Sequence, residues 1–190
     1  MSISSRRWKV NIMHISTIMA MLRTRTDLDQ SFLYISLIIA AVFAAGLVRK
    51  HLFFLIVVQS DSMYPALRSK DWGVTLRIHD AMDIKRGDIL VFYSAELKDR
   101  LVKRVIGLPH DQIVCEQDGA VYINGKRLDE PYLNQTDGKR SEYRVPAGKY
   151  FLMGDNRAHS YDSRSFLEPF ISEKAIQGRL IFSLVPFRKI

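Results

Sequence analysis

Residues 31–65 read SFLYISLIIAAVFAAGLVRKHLFFLIVVQSDSMYP and join an uncharged apolar run to a short polar turn. The run itself, 31–48, contains no charged residue and no proline. At about 1.5 Å per residue, a helix of this length covers the hydrocarbon core of a bilayer. Basic residues before the run outnumber Arg49 and Lys50 after it, which favours a cytoplasmic N-terminus and an extracytoplasmic C-terminal part. The run therefore predicts a single transmembrane helix.

Two other interpretations of the apolar run stay open. One is a cleaved signal peptide, because the stretch 41–45 offers small residues, although the long leader before the run argues against cleavage. The other is a buried helix of a soluble domain. We expect residues 1–30 to form a cytoplasmic N-terminal segment, within which Met21 is an alternative start.

The remainder of the chain, residues 49–190, predicts a mainly β extracytoplasmic domain. Short apolar runs alternate with turn signals, and the Asp-Gly pair at 118–119 and the Asn-Gly pair at 124–125 suit tight hairpin turns. Residues 51–58 are β-branched and aromatic, and we expect a buried strand there. One short helix is expected at 172–177. The other predicted strands are 72–78, 89–93, 101–108, 111–116, 120–123, 126–128, 143–146, 150–153 and 179–185.

The charge and the cysteine content bound the function. The net charge is +8, but the Lys and Arg residues are scattered, with no long basic run. We therefore expect no nucleic-acid binding and take attraction to anionic lipid as the use of the charge. Cys115 is the only cysteine, so no disulfide can form within the chain. We expect its side chain to pack as a small apolar group on a strand.

The polar turn at 59–65 carries two serines, Ser60 and Ser62, directly after a predicted strand. Pro65 ends the turn and biases Tyr64 towards an extended conformation. A strand end held by a rigid turn is a good position for a nucleophile. A serine-rich turn without chemistry is the other interpretation, because such turns are common.

The base that would activate such a serine is a histidine or a lysine. The sequence spacing identifies no residue that would orient any of the histidines. A Ser-His-Asp triad is therefore neither indicated nor excluded. Lys103 would share one strand face with Leu101 and Val105, while Arg104 points the other way. Apolar neighbours lower the pKa of a lysine, and a lysine is a base only when neutral. The other interpretation of Lys103 is a solvated charge. The histidines after the apolar run are dispersed and give no metal-binding motif: His51, His79, His110 and His159.

A third polar cluster lies at 153–164, which reads MGDNRAHSYDSR and follows an apolar strand. Such a loop can build salt bridges and turn hydrogen bonds, or it can be a solvated surface loop.

These clusters occur together and in order, and in this combination the chain resembles the bacterial type I signal peptidases. These are membrane-bound Ser-Lys endopeptidases of peptidase family S26. The resemblance runs from about Val48 to Pro186. The segments that carry it are SDSMYPAL (60–67), RGDILVF (86–92), VKRVIGLP (102–109), VYINGKRLDEPYL (121–133) and GDNRAHSYDSR (154–164).

The resemblance implies a role for each matching residue. Ser62 matches the nucleophile and Lys103 the general base. Ser60 matches a residue whose hydroxyl helps to form the oxyanion hole, together with the backbone N–H of Ser62. Ser160 matches a serine that hydrogen-bonds and orients the lysine. The residues expected to hold the catalytic core together are Asp155, Asp162 and Arg164.

The resemblance also implies the setting of the reaction. We expect a signal-peptidase-like antiparallel β domain, anchored by one helix in the cytoplasmic (inner) membrane with the catalytic domain on the extracytoplasmic face. The expected partners are signal peptides of exported preproteins and membrane lipid. We expect a monomer with no metal and no organic cofactor. Ala66, His110 and the pair 158–159 depart from the family's usual residues, which leaves the substrate range open.

Three rival functions stay open. One is a dedicated Ser-Lys maturation protease for one pilin or secreted substrate. Another is a self-cleaving regulator like the SOS repressors, although the membrane span takes the place of their effector domain. The third is a non-enzymatic, membrane-tethered β domain that binds partners.

Overall fold

The structure, a computed structural model, describes residues 17, 30–79, 83–133, 138–184 and 187–189. The chain divides into two units, Met1–Arg49 and Lys50–Ile190. Helix α1, Gln30–His51, contains the predicted apolar run and is long and apolar enough to cross a membrane. Of the segment 1–30, only Thr17 and Gln30 are described, so our expectation for that segment lies outside the described residues.

The described part of the second unit is built from antiparallel strands. Their bounds are β1 (Phe53–Val57), β2 (Trp72–Arg77), β3 (Ile89–Ser94), β4 (Asp99–Gly107), β5 (Gln112–Cys115), β6 (Val121–Ile123), β7 (Lys126–Arg127), β8 (Ser141–Arg144), β9 (Lys149–Met153), β10 (Ile171–Ser172), β11 (Ile176–Leu184) and β12 (Phe187–Lys189).

Within the described residues these strands form two sheets. The larger has the order β1-β2-β11-β3-β4-β9-β10, with β12 paired to β11. The smaller has the order β7-β6-β5-β8. Strand β4 lies between β3 and β9 and pairs antiparallel with both, and its second half, from Lys103 on, is the more buried part. The predicted fold class, mainly β with one N-terminal apolar helix, is confirmed.

The hairpin turns follow from the glycines that the sequence places there. Asn124 and Gly125 have φ values of 51° and 78°, as an Asn-Gly hairpin turn requires. Gly119 also has a positive φ, 83°. The predicted meander through residues 111–128 is therefore present as β5, β6 and β7.

The burial expected for one strand and the helix expected at 172–177 are wrong. The strand expected to be buried at 51–58 is β1, which begins at Phe53 and lies at the edge of the larger sheet. Its side chains alternate between half-buried and exposed, and Leu55 is 57% exposed, because only β2 pairs with it among the described strands. The helix expected at 172–177 is a short 3-10 turn, Glu173–Ala175, since Ile176 already begins β11.

Three buried clusters position the site. One covers the larger sheet and includes Phe92, Val105 and Leu152. A second fills the smaller sheet and includes Ile113 and Cys115, so the cysteine packs as an apolar residue as predicted. The third lies beneath the polar turn that carries the serines; it consists of Val58, Met63, Leu67, Ile89 and Leu180.

Candidate active site

The serine turn, residues 59–65, is fixed from below by an apolar anchor and from the side by a carboxylate. Met63 is 1% exposed and packs into the cluster beneath the turn. Burying a side chain of this size contributes about 1.5–3 kcal/mol. Asp61 Oδ1 accepts a hydrogen bond from the Ser69 N–H at 2.9 Å. Ser62 therefore lies on a well-held turn directly after β1.

A buried lysine contacts the serine on this turn. Lys103 Nζ donates a hydrogen bond to Ser62 Oγ over 2.6 Å. The lysine lies on β4 and is 4% exposed, on the same strand face as the buried Val105. Ser60 Oγ also donates to Ser62 Oγ, over 3.2 Å. The structure thus brings three of the predicted site residues into one hydrogen-bonded group, and within the described chain no histidine contacts Ser62 Oγ.

The burial of Lys103 changes its protonation. Burial lowers the pKa of Lys103 from 10.5 to about 8, while the negative charge of Asp162 opposes the decrease and the positive charge of Arg164 adds to it. A substantial fraction of the lysine is therefore neutral near pH 8, which is the form that can accept a proton. The interpretation of Lys103 as a solvated charge is wrong.

Asp155 is paired with the residue next to the lysine. Arg104 Nε and Nη2 donate to Asp155 Oδ1 and Oδ2 at 2.8 Å and 2.6 Å. The arginine also donates to the Gly87 carbonyl at 2.8 Å, and its guanidinium lies 4.0 Å from the ring centroid of Tyr132. This two-pronged contact joins β4 to the loop after β9.

Asp162 and Arg164 form a second ion pair at the other end of that loop. Arg164 Nε and Nη2 donate to the two Asp162 carboxylate oxygens, both at 2.9 Å. The Gly154 N–H adds a third bond, to Asp162 Oδ2 at 2.9 Å. Burial opposes ionisation of Asp162, but these hydrogen bonds and the arginine charge outweigh it and lower the pKa of Asp162. The loop is a folded unit and not the solvated surface loop that its composition also allowed.

Ser160 lies inside this loop, close to the serine turn. A Cβ built on Gly154 would lie 2.2 Å from Ser160 Oγ and 2.5 Å from the Ser62 carbonyl oxygen. Glycine is therefore required at 154 for the loop to approach the turn so closely. The Ser160 hydroxyl is buried, makes no hydrogen bond of good geometry among the described residues, and favours the ionised form of the nearby Asp162. Its predicted bond to Lys103 is absent there, and its orienting role stays a prediction.

Asn156 binds the serine turn directly, which the sequence did not single out. Its backbone N–H donates to the Ser62 carbonyl at 3.0 Å, and its Nδ2 donates to the Asp61 carbonyl at 3.2 Å. His159 Nδ1 lies 3.2 Å from Asn156 Oδ1. The asparagine is 8% exposed, so these contacts are sheltered from water.

A buried ion pair supports the loop from beneath and was also missed. Arg157 hydrogen-bonds both carboxylate oxygens of Glu130, and the two side chains are 2% and 5% exposed. Arg157 Nε also donates to the Gly154 carbonyl at 3.0 Å. Both residues lie in segments that carry the resemblance. The sequence did not predict their pairing because the two residues are 27 positions apart and share no local pattern.

A cleft of about 490 Å³ opens over the serine and the lysine. Its walls come from β1 and the serine turn on one side and from the start of β4 on the other. Its lining is mixed: Leu55, Val57 and Leu101 supply apolar surface, and polar residues such as Gln59 and Arg100 supply the rest. Among the described residues, no group of His, Cys, Asp and Glu side chains could hold a metal ion.

A serine hydroxyl bound to a buried, partly neutral lysine, in a cleft of an antiparallel β domain, is the arrangement of a Ser-Lys hydrolase. The family model described as "Signal peptidase, peptidase S26" matches residues 31–185. Signal peptidase I S of Bacillus subtilis (strain 168) is 39% identical over 166 residues, which cover 80% of this chain and 88% of that protein. Signal peptidase I of Bacillus licheniformis is 37% identical over 174 residues, covering 84% and 91%.

These matches show that the chain belongs to the type I signal peptidases of family S26, which are serine endopeptidases. The resemblance found in the sequence is therefore confirmed. A crystal structure of a signal peptidase I from Enterococcus faecalis V583 is 33% identical; the alignment covers 52% of this chain and 97% of that chain, with a TM-score of 0.47.

Proposed function

We propose that this enzyme removes N-terminal signal peptides from exported preproteins, with Ser62 as nucleophile and Lys103 as general base. The observation that carries the proposal is the 2.6 Å hydrogen bond between Lys103 Nζ and Ser62 Oγ, made by a lysine that is 4% exposed. Burial of the lysine supplies the neutral fraction that a base requires.

The reaction proceeds through an acyl-enzyme. Neutral Lys103 takes the proton of Ser62 Oγ, and Oγ attacks the carbonyl carbon at the end of the signal peptide. The resulting oxyanion accepts hydrogen bonds from the Ser62 N–H and the Ser60 hydroxyl. The protonated lysine then donates its proton to the leaving amine of the mature protein. Lys103 finally activates water, which hydrolyses the Ser62 ester and regenerates the enzyme.

For Ser60 to donate to the oxyanion, its side chain must rotate. In the structure the Ser60 hydroxyl donates to Ser62 Oγ at 3.2 Å. Rotation about the Cα–Cβ bond of this exposed residue redirects the hydroxyl towards the oxyanion once Oγ has attacked. Because Ser60 already lies beside the reacting atom, the change is local.

The two ion pairs act as supports and not as reacting groups. Asp155 holds Arg104 and so fixes the strand that carries Lys103. Asp162 and Arg164 hold the loop on which Ser160 lies, and we assign Ser160 to orient the lysine.

The substrate lies along the cleft as an added strand. Strand β1 is an edge strand of the larger sheet and pairs only with β2 among the described strands, so its other side can pair with an extended peptide. By family resemblance, small residues such as Ala-x-Ala enter shallow pockets next to the serine. The apolar lining from Leu55, Val57 and Leu101 suits small aliphatic side chains.

The enzyme works at the cytoplasmic membrane with its catalytic domain, residues 49–190, on the extracytoplasmic face. Helix α1 supplies a single membrane anchor, and residues 1–30 remain in the cytoplasm. Exposed apolar side chains on β1 and β2, Phe53, Leu55 and Trp72 among them, are suited to contact membrane lipid. The enzyme acts as a monomer, without metal or organic cofactor.

The direct test measures preprotein cleavage in detergent by Ser62→Ala and Lys103→Ala. Both variants are expected to lose processing while keeping the cooperative unfolding of the parent enzyme. Normal processing by either variant overturns the assignment. A panel of preproteins tests the substrate range, because an enzyme dedicated to one pilin or secreted protein would cleave a single member.

A further inference from the structure

The peptide group between Asp61 and Ser62 is held on one side by two donors. Its carbonyl oxygen accepts from the Tyr64 N–H at 3.0 Å and from Asn156 Nδ2 at 3.2 Å. A trans peptide is planar, so its C=O and N–H point in opposite directions. Holding the Asp61 carbonyl therefore sets the direction of the Ser62 N–H.

In the proposed reaction, the Ser62 N–H donates a hydrogen bond to the oxyanion. Among the described residues, the Ser62 N–H donates to no acceptor. We propose that Asn156 is a positioning residue of the oxyanion hole, whose side-chain amide orients and polarises the peptide that presents the Ser62 N–H. The inference rests on the proposed function, because it needs Ser62 to be the residue at which the oxyanion forms.

The Asn156 amide is itself fixed in the required orientation. His159 Nδ1 lies 3.2 Å from Asn156 Oδ1, and an amide oxygen can only accept, so Nδ1 carries the proton in this contact. This contact directs Nδ2, the donor end of the amide, to the Asp61 carbonyl. The backbone N–H of Asn156 binds the next carbonyl, that of Ser62, at 3.0 Å.

The hydrogen bonds also act in series. The imidazole donates to the amide, the amide donates to the peptide carbonyl, and the N–H of the same peptide donates to the oxyanion. Each bond in such a chain polarises the next, which strengthens the last donor where negative charge develops. The chain ends at the oxyanion and does not pass through the lysine, so it affects a different part of the reaction from proton transfer.

The test compares Asn156→Asp and Asn156→Ala with the parent enzyme, using a cleavable signal-peptide substrate in detergent. Asn156→Asp keeps the size and the acceptor for His159 but removes the donor to Asp61. We expect kcat to fall by roughly 10-fold to 100-fold with little change in KM, since removing an oxyanion donor outright costs about 10²–10³. A peptide aldehyde, whose adduct with a serine carries the same oxygen charge, should lose affinity in parallel.

Two further readouts separate positioning of the oxyanion hole from a merely structural role. The midpoint of the pH profile of Asn156→Ala should stay where it is in the parent enzyme, because this variant leaves Lys103 untouched and adds no charge. The carboxylate of Asn156→Asp, in contrast, adds a negative charge near Lys103, which raises the pKa of that lysine. Ser69→Ala is the matched control: it removes a side-chain donor to the same turn, at the Gln59 carbonyl, 3.3 Å away, without touching the Asp61–Ser62 peptide. We expect this variant to keep the parent kcat.

The outcomes are distinct. An Asn156→Asp enzyme with the parent kcat and aldehyde affinity overturns the inference. A shifted pH midpoint in Asn156→Ala, or a loss of kcat in that variant that simply follows a loss of thermal stability, overturns it too, because the asparagine would then support the fold or the lysine. If Ser62→Ala still cleaves, the proposed function itself fails, whatever the Asn156 variants do.

Discussion

Arg104 donates hydrogen bonds to both oxygens of Asp155, at 2.8 Å and 2.6 Å, and this pair joins β4 to the loop that follows β9. Lys103 precedes the arginine, and its side chain leaves the strand on the opposite face. The two neighbouring cationic residues on this strand thus have different roles. One is fully paired and fixes the strand, while the other is buried next to a serine with no carboxylate in direct contact among the described residues.

The Arg104–Asp155 pair predicts a large stability loss when it is broken. Asp155 is 1% exposed and Arg104 is 11% exposed, so Asp155→Ala leaves a mostly buried arginine without its carboxylate. Breaking such a pair costs about 3–5 kcal/mol. The free energy of unfolding, measured by denaturant titration, should fall by that amount. Glu142→Ala is the control, because it breaks a solvent-exposed pair with Arg140, and the free energy of unfolding should stay close to that of the parent enzyme. Equal stability of the two variants would contradict this account.

The close approach of the loop to the serine turn predicts that Gly154→Ala is damaging. The added methyl group would lie 2.5 Å from the Ser62 carbonyl oxygen and 2.2 Å from Ser160 Oγ, so the loop or the turn must move. Because a displacement of the serine separates Oγ from the lysine, kcat should fall by about 100-fold. Gly46→Ala is the control, since a methyl group there meets nothing within 4 Å. Parent-like rates in Gly154→Ala would show that the contact is dispensable.

The buried lysine predicts a pH-dependent stability. Folding lowers the pKa of Lys103 from 10.5 to about 8, so between these values the unfolded chain binds more protons than the folded one. The stability of the parent enzyme relative to Lys103→Met should therefore rise with pH across this window and level off outside it. The rise is about 3 kcal/mol, from about 1.4 kcal/mol per pKa unit. A stability difference that is constant from pH 7 to pH 11 would contradict the lowered pKa.

The sequence predicts those parts of the site that depend on local pattern. Strand alternation alone placed Lys103 on the apolar face with Val105 and sent Arg104 the other way, and the structure has this arrangement. The turn glycines and the apolar helix could likewise be predicted, because turn geometry and the length of an apolar run depend on neighbouring residues only.

The parts that could not be predicted depend on contacts between distant segments. Arg104 and Asp155 are 51 residues apart, and Asn156 reaches back 95 residues to Asp61. No local sequence pattern predicts either bond, because tertiary packing brings the partners together. The exposure of β1 was misjudged for the same reason: whether an apolar strand is central or at an edge depends on which other strand pairs with it.

The most direct test of the central claim, that Lys103 is the base for Ser62, is the pH dependence of kcat/KM for a signal-peptide substrate in detergent. A base must be neutral to accept a proton, and the pKa of Lys103 is about 8. If Lys103 is the base, kcat/KM rises about tenfold per pH unit on the acid side and reaches a plateau above a midpoint near 8, which reports the free enzyme. A profile that is flat from pH 6 to 9, or one with a midpoint near 6.5 as an ordinary histidine would give, contradicts this claim.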